Sequence, residues 1–159
     1  MRWGGKGEDE QDTEDDLSLQ DDCPPMPPFT ETLKIKTNKN LEIVNITNQV
    51  EAAVKKSGVK EGSLVVFTPH TTTAITVNED EPGLVKDILR KISELVPKGA
   101  GYSHDSIDHN AHSHILASII GCSVALPVIN GKAALGTWQS ILFIELDGPR
   151  NRNVVVQIG

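Results

Sequence analysis

The amino-acid sequence predicts an α+β domain: a compact β-sheet sandwich, mixed or antiparallel, with about three helices packed on it. Runs of alternating or β-branched apolar residues recur along the chain and outnumber the segments with helical periodicity. Near the C-terminus such runs are separated by turn signals, among them Asn130-Gly131, which is typical of a hairpin. Strands in excess of helices, with hairpins at the end of the chain, indicate the α+β class.

The first half of the domain reads as strand, helix, strand, strand. Residues 29–37 alternate between apolar and polar side chains and predict a strand. Residues 45–56 have helical periodicity, and Gly58 is expected to end that helix. The short apolar run 63–68 predicts a buried strand, and the β-branched run 71–77 predicts a second extended segment.

Two further helices follow. We expect Asp80 to cap the second helix, because Pro82 then falls in its first turn, and Pro97 to end it. Its apolar residues form two stripes, which predict a broad face packed on a sheet. The stripes are Leu84, Ile88 and Leu95, and Val85, Leu89, Ile92 and Val96. Residues 111–120 predict the third helix, with Gly121 after its end.

The chain ends in strands. Residues 123–129 contain Pro127, which predicts an edge strand or a bulge before the Asn130-Gly131 turn. Residues 138–146 form a long, nearly continuous apolar strand, and 152–158 return after a turn. We therefore expect the last two strands to pair antiparallel.

Charge divides the chain into a tail and a domain. Residues 1–22 carry nine acidic and two basic side chains, which alone account for the net charge of −7. This composition predicts a disordered tail, and the proline-rich residues 23–28 predict a stiff linker, so that 1–28 precede a single domain at 29–159. The domain has no basic excess, which argues against nucleic-acid binding.

No apolar stretch is long enough to cross a bilayer, so we expect no membrane association and a cytoplasmic location. Two cysteines are too few for a disulfide scaffold, which favours a reducing compartment. Cys122 lies in an apolar run and is expected to be buried. The Walker A, GxGxxG, HExxH and CxxC patterns are absent, which removes support for the corresponding nucleotide and zinc motifs.

The histidines indicate a functional site. Four of the five lie in the eleven-residue run HDSIDHNAHSH, at His104, His109, His112 and His114, and His70 precedes a run of threonines. Histidine is the commonest metal ligand and titrates near neutral pH. The alternative is that these are surface loop histidines with local capping roles.

Other polar residues are candidates for acid–base chemistry. Asn78 and Glu79 precede the second helix and are not needed for its capping, and Asp105 flanks His104. A carboxylate beside a histidine or a metal can serve as a general base. If the chain forms a tight hairpin at His70, however, Glu79 lies about 20 Å from it, at ~3.3 Å per strand residue. The two then share a site only across a subunit boundary.

The last strands supply candidate binding residues. Trp138 is a core residue or, with Thr137 and Gln139, part of a pocket, and core is the favoured interpretation. Arg150 and Arg152 can hold a phosphate or be solvated turn residues. Glu145 lies in the apolar strand and needs a partner there, for which Arg152 is a candidate.

Several blocks of sequence together resemble the YjbQ-like family, which is associated with secondary thiamine-phosphate synthase activity. They are PHTTTAITVNEDEP, GYSHD, NAHSH and LGTWQSILFIELDGPRNR, and the similarity extends over residues 29–159. The resemblance implies a compact α+β domain, a homotrimer and a reaction that joins a pyrimidine diphosphate to a thiazole phosphate with release of pyrophosphate.

The resemblance also implies roles for particular residues. The polar positions that recur in the family include His70, His104 and His114, which we assign as metal ligands, Asn78, Glu79, Asp105 and Glu145, which we assign as catalytic residues, and Thr137, Trp138 and Gln139, which we assign to substrate binding. The implied reaction also needs arginines to hold the diphosphate, and the chemistry of Arg150 and Arg152 makes them the candidates. Three imidazoles favour zinc or a similar transition metal over magnesium, because magnesium prefers oxygen ligands; magnesium is the alternative. His109 and His112 receive no role.

Three hypotheses therefore follow from the sequence. The first is a metal-assisted transferase of the thiamine-phosphate synthase type, acting on a small phosphorylated substrate. The second is a metal-dependent hydrolase that uses the same site, because the histidines fit a metal-bound water equally well. The third is a trimeric binding protein without catalytic activity.

Overall fold

The structure is a computed structural model that describes residues 27–159, and the acidic tail and most of the proline-rich linker lie outside the described residues. The strands are β1 Phe29–Lys36, β2 Glu42–Asn45, β3 Gly62–Phe67, β4 Thr73–Asn78, β5 Ser123–Ile129, β6 Lys132–Ala133, β7 Ser140–Glu145 and β8 Asn151–Ile158. The helices are α1 Thr47–Ser57, α2 Pro82–Leu95 and α3 Ala111–Ile120, with a short 3₁₀ helix at Ser103–Ser106. Within this part of the chain no helix has the length and apolarity needed to span a membrane.

The strands form two antiparallel sheets, in the orders β1-β8-β3-β5-β6 and β2-β7-β4. The larger hydrophobic core combines side chains of both sheets and of α1, including Leu64, Phe143 and Val156. A smaller core lies where α3 packs near β4 and β7, around Leu116 and Ile144. The α+β prediction with three helices is therefore confirmed.

Strand β7 is central in the smaller sheet and is buried on both faces. Phe143 belongs to the larger core and Ile144 to the smaller one. This double burial explains why residues 138–146 read as a nearly continuous apolar run rather than an alternating one. Glu145, the last residue of β7, has no solvent exposure.

The predicted pairing of the last two strands is wrong. Strand β7 pairs with β2 and β4, whereas β8 pairs with β1 and β3. The turn at 146–150 carries the chain from one sheet to the other instead of closing a hairpin. The Asn130-Gly131 hairpin is present, with φ of 53° and 73° at the two residues, and joins β5 to the short edge strand β6.

Helix α2 differs from its prediction in two ways. Glu81 rather than Asp80 caps it, because the Glu81 carboxylate accepts hydrogen bonds from the backbone N–H groups of Gly83 (2.8 Å) and Leu84 (2.7 Å). These bonds hold the pKa of Glu81 below its ordinary value. Asp80 instead accepts a hydrogen bond from Asn45. None of the fourteen residues of α2 is fully buried. Ile92 packs against the smaller core and Leu84, Val85, Ile88 and Leu89 are half-buried, so the apolar face is only partly covered within the described chain.

Two further side chains are more exposed than their apolar neighbours predict. Trp138 is 73% exposed, in the turn before β7, which contradicts its assignment to the core. Cys122 is also exposed, because it lies in the short connection between α3 and β5 rather than inside a strand.

Candidate functional site

A polar cleft of about 350 Å³ lies where three parts of the chain meet. These are the connection between β3 and β4, the start of α3, and the turn between β7 and β8. We call this space the polar cleft. It is lined by Pro69, His70, Thr71, Thr72, Asp108, Asn110, His114, Asp147, Arg150 and Arg152. Four predicted site residues, His70, His114, Arg150 and Arg152, therefore lie in one place.

Arg152 is held at the cleft by a buried ion pair. It is 6% exposed, its Nε donates to Glu145 Oε2 at 2.7 Å, and its Nη2 donates to Glu145 Oε1 and to Thr72 Oγ1. The predicted Glu145–Arg152 contact is present, although it joins two sheets rather than the strands of one hairpin. Nη1 makes no hydrogen bond to any residue of 27–159, so it is the guanidinium nitrogen left for a ligand.

Glu145 is fully occupied by this arrangement. Its carboxylate also accepts hydrogen bonds from the hydroxyl of Thr37 (3.1 Å) and from the backbone N–H groups of Leu146 (3.1 Å) and Asp147 (3.0 Å). Because Glu145 is completely buried and accepts from five donor groups, it holds Arg152 and the turn after β7 in place. It does not face the cleft as a free carboxylate.

His70 is oriented by the backbone of β8. Its Nε2 accepts a hydrogen bond from the backbone N–H of Asn153 at 2.9 Å. A backbone N–H only donates, so Nε2 carries the lone pair and the proton of the neutral ring lies on Nδ1. Burial, and secondarily the positive charge of Arg152, lowers the pKa of His70, while Glu145 opposes this effect. His70 is thus prepared as a neutral hydrogen-bond donor.

Arg150 forms the exposed rim of the cleft. Its Nη2 donates to Asp147 Oδ2 at 2.9 Å, and its Nε donates to the backbone carbonyl of Asp147 at 2.8 Å. The same carboxylate oxygen accepts a hydrogen bond from Asn110 Nδ2 at 3.1 Å. Asn110 Oδ1 is buried and has no hydrogen-bond partner in the described part of the chain. The rim therefore links the start of α3 to the turn after β7.

His104 and His114 form a separate pair. Their ring centroids are 5.0 Å apart and their planes are inclined by 75°. Both line a neighbouring cavity together with Tyr102, and His114 also lines the polar cleft. Asp105, predicted as a base, accepts a hydrogen bond from the backbone N–H of Ala111 at 3.0 Å and so helps to start α3.

These contacts do not fit a metal ion held by one chain. Among residues 27–159 no group of three or more His, Cys, Asp or Glu side chains is arranged to hold a metal. His70 as placed already uses its lone pair for the Asn153 N–H, whereas metal ligation needs a free lone pair. His104 and His114 remain as two imidazoles without a third ligand beside them in the described chain.

The other predicted site residues lie at the opposite end of the smaller sheet. Asn78 ends β4 and pairs in register with Ser140, the first residue of β7, whereas Thr73 pairs with Glu145 at the cleft end. Asn78, Glu79, Thr137, Trp138 and Gln139 therefore form a second group, which we call the distal group. Glu79 is six residues after Thr73, the first residue of β4, and therefore about 20 Å from the cleft end of this strand at ~3.3 Å per residue.

Several cleft residues were missed from the sequence. Thr72 lies in the β-branched run 71–77 that predicts an extended segment, yet its hydroxyl accepts a hydrogen bond from Arg152. Asp147 and Asn110 are not among the site residues predicted from the sequence. A usable signal was the DGPR sequence, in which Asp147 stands three residues before Arg150, a spacing at which an aspartate and an arginine in a turn can pair.

Comparison with known proteins identifies the family. The model of the UPF0047 protein family, described as YjbQ-like, matches residues 31–159. A UPF0047 protein of Archaeoglobus fulgidus is 53% identical over 125 residues, which cover 79% of this chain and 97% of that protein. The UPF0047 protein YugU of Bacillus subtilis is 40% identical over 131 residues, covering 80% of this chain and 96% of that protein.

Solved structures agree with this relationship. A YbjQ-like protein of unknown function from Sulfolobus solfataricus is 43% identical, with a TM-score of 0.81, over 83% of this chain and 96% of that one. An uncharacterized conserved protein of the YjbQ/UPF0047 family from Clostridium acetobutylicum is 45% identical, with a TM-score of 0.78, over 81% of this chain and 99% of that one.

Proposed function

The chain belongs to the YjbQ-like UPF0047 family, and we propose that it is a transferase of the thiamine-phosphate synthase type whose polar cleft holds the diphosphate of one substrate. The observation that carries the proposal is the placement of Arg152. A buried guanidinium is fixed by Glu145 and Thr72 so that one nitrogen remains free at a cleft that also contains His70 and Arg150. Arginine is well suited to bind phosphate oxygens.

The proposed reaction needs hydrogen-bond donors more than it needs a base. The ring nitrogen of a thiazole phosphate attacks the methylene carbon of a pyrimidine diphosphate, so that a C–N bond forms while the C–O bond breaks. Pyrophosphate leaves with the electron pair, and the attacking nitrogen loses no proton. Catalysis then depends on stabilising the negative charge that grows on the leaving group.

The chain's own residues supply such donors. Arg152 Nη1 and the Nδ1–H of His70 are oriented in advance by their contacts with Glu145 and with the Asn153 backbone, and such preorganised donors are effective because they need not reorganise during the reaction. Arg150 adds a second positive charge at the exposed rim. Glu145 acts in this scheme by positioning Arg152, not by taking up a proton.

The divalent metal that the sequence predicts, zinc or magnesium, stays a prediction, and no step above depends on it. Elemental analysis of the purified protein tests it. Stoichiometric zinc that is lost in His104→Ala would support the histidine pair as part of a metal site completed by another ligand.

The proposal includes a homotrimer in the cytoplasm, as the resemblance and the composition imply. The distal group lies about 20 Å from the cleft of its own chain, so it can act at a cleft only if a neighbouring copy supplies it. Exposed apolar side chains support an interface: Trp138 of the distal group is 73% exposed and Leu95 of α2 is 66% exposed.

Pyrophosphate binding measured by calorimetry tests the cleft directly. Arg150→Ala should weaken binding about tenfold, because one charge-assisted hydrogen bond contributes ~1.5 kcal/mol. Arg90→Ala is a matched control, since Arg90 is similarly exposed and also pairs with an aspartate three residues earlier. Equal affinities of the two variants would contradict the assignment of the cleft.

A product assay then separates the hypotheses. Incubation with the pyrimidine diphosphate and the thiazole phosphate should yield thiamine phosphate and pyrophosphate in equal amounts. Release of phosphate without a joined product would favour the hydrolase. Pyrophosphate binding without turnover of either substrate would favour the trimeric binding protein.

A further inference from the structure

A second cavity of about 460 Å³ adjoins the polar cleft. The two share Pro69, His70, Thr71 and His114 in their linings, so they adjoin at the two histidines. The remaining wall comes from the ends of β3 and β4 and from one face of α3. It consists of Phe67, Thr68, Thr73, Ala117, Ser118, Gly121 and Cys122, and we call this cavity the apolar chamber.

The chamber is less polar than its hydroxyl side chains suggest. The hydroxyls of Thr68 and Thr73 lie 2.7 Å apart and bond each other, and Thr73 also donates to the backbone carbonyl of His70. The hydroxyl of Ser118 donates to the backbone carbonyl of His114 at 2.9 Å. Thr71, at the edge shared with the polar cleft, is the one lining residue whose hydroxyl makes no hydrogen bond among residues 27–159. Away from that edge, the wall offers a ligand mainly methyl, ring and thiol surface.

An apolar chamber that adjoins a phosphate-binding cleft fits a ligand of two parts. We propose that the chamber is the subsite for an apolar, planar group of a phosphate ester whose phosphate lies in the polar cleft. The proposal rests on the phosphate-binding role proposed above. The ring then contacts Phe67 and the exposed face of α3, and the ester oxygen lies near His70 and His114, where the two cavities meet.

The α3 face sets the size of the chamber. His114, Ala117 and Ser118 lie three and four residues apart, so they share one side of the helix. Ala117 and Ser118 are small, which leaves the volume open. Ser118 is exposed, so a larger side chain there reduces the chamber without disturbing the core.

Calorimetric titration of methyl phosphate and phenyl phosphate tests the chamber, because the two esters have similar charge. Phenyl phosphate should bind about tenfold more tightly than methyl phosphate, since the ring buries additional apolar atoms. Ser118→Leu should remove this preference and leave methyl phosphate affinity unchanged. Ser93→Leu is the matched control: Ser93 is likewise an exposed helical serine that donates to the carbonyl four residues earlier, but it does not line the chamber.

The outcomes distinguish this proposal from the one on which it rests. Loss of the preference in Ser118→Leu but not in Ser93→Leu would support the chamber. Equal affinity of the two esters for the unmodified protein, or an unchanged preference in Ser118→Leu, would overturn the chamber while leaving the cleft intact. Failure of both esters and of pyrophosphate to bind would overturn both.

Discussion

Glu145→Gln is the substitution that most directly tests the buried ion pair on which the polar cleft depends. Glu145 has no solvent exposure, and its carboxylate accepts five hydrogen bonds, two of them from Arg152. Glutamine removes the negative charge and turns an NH2 group toward partners that also donate. Arg152, itself 6% exposed, is then left as a buried positive charge without compensation.

The expected cost follows from this burial. Removing one partner of a buried ion pair costs about 3–5 kcal/mol, because the remaining charge loses its compensation in a poorly solvating environment. With a urea m-value of ~2 kcal/mol per molar, the midpoint of unfolding should fall by about 2 M. Urea titration at fixed protein concentration, followed by circular dichroism, measures this change.

Glu94→Gln is the control for charge removal at the surface. Glu94 pairs with Arg90 and Lys91, but all three side chains are at least half exposed, so its removal should move the midpoint much less. Similar midpoints for Glu145→Gln and Glu94→Gln would refute the reasoning, because they would mean that Arg152 finds solvent or another partner.

A double substitution separates stability from binding. Glu145→Leu combined with Arg152→Met replaces the pair by apolar side chains, an exchange that often restores stability. The double variant should unfold at higher urea concentration than Glu145→Gln and still fail to bind pyrophosphate. Retained binding would show that the cleft does not use Arg152.

Three further predictions concern other parts of the chain. The pKa of His70 lies below its unfolded value of 6.5, so the unfolded chain binds the proton first and the free energy of unfolding should fall as pH drops below about 6.5. His70→Gln keeps an acceptor for the Asn153 N–H and should reduce the slope of unfolding free energy against pH, measured by urea titrations between pH 7.5 and 5. An unchanged slope in this variant would contradict the prediction. Light scattering should give a particle mass three times the 17.2 kDa of one chain, and Leu95→Glu should lower that mass because Leu95 is an exposed apolar side chain. A monomeric unmodified protein would exclude the trimer. Glu81→Ala should lower the unfolding midpoint more than Asp80→Ala, because Glu81 accepts from two backbone N–H groups of α2; the reverse order would contradict the observed cap.

Local patterns in the sequence predicted most of the secondary structure. Apolar periodicity placed α1, α3 and the longer strands close to their observed bounds, because periodicity reports which sides of an element are covered. It could not predict which strands pair. Strand β7 is buried on both faces, and that signature fits either a hairpin with β8 or, as observed, a central position between β2 and β4.

The sequence pattern of an apolar face also does not show which part of the structure covers that face. The stripes of α2 predicted a packed helix, yet the structure leaves α2 without a buried residue in the single chain. Trp138 shows the same limitation, since its side chain is apolar but 73% exposed. A pattern identifies a surface that favours burial, whereas the partner that buries it belongs to the tertiary or quaternary structure.

The candidate site was only partly predictable for a related reason. Glu145 and Arg152 could be paired from sequence because a carboxylate inside an apolar strand needs a compensating charge. His70 and Asn153 could not, because the partner of the ring is a backbone N–H group, which every residue type except proline provides. That contact decides which nitrogen of His70 carries the proton, and therefore whether the ring donates to a ligand or ligates a metal. The change from a predicted metal ligand to a proposed donor thus follows from one hydrogen bond that no side-chain pattern encodes.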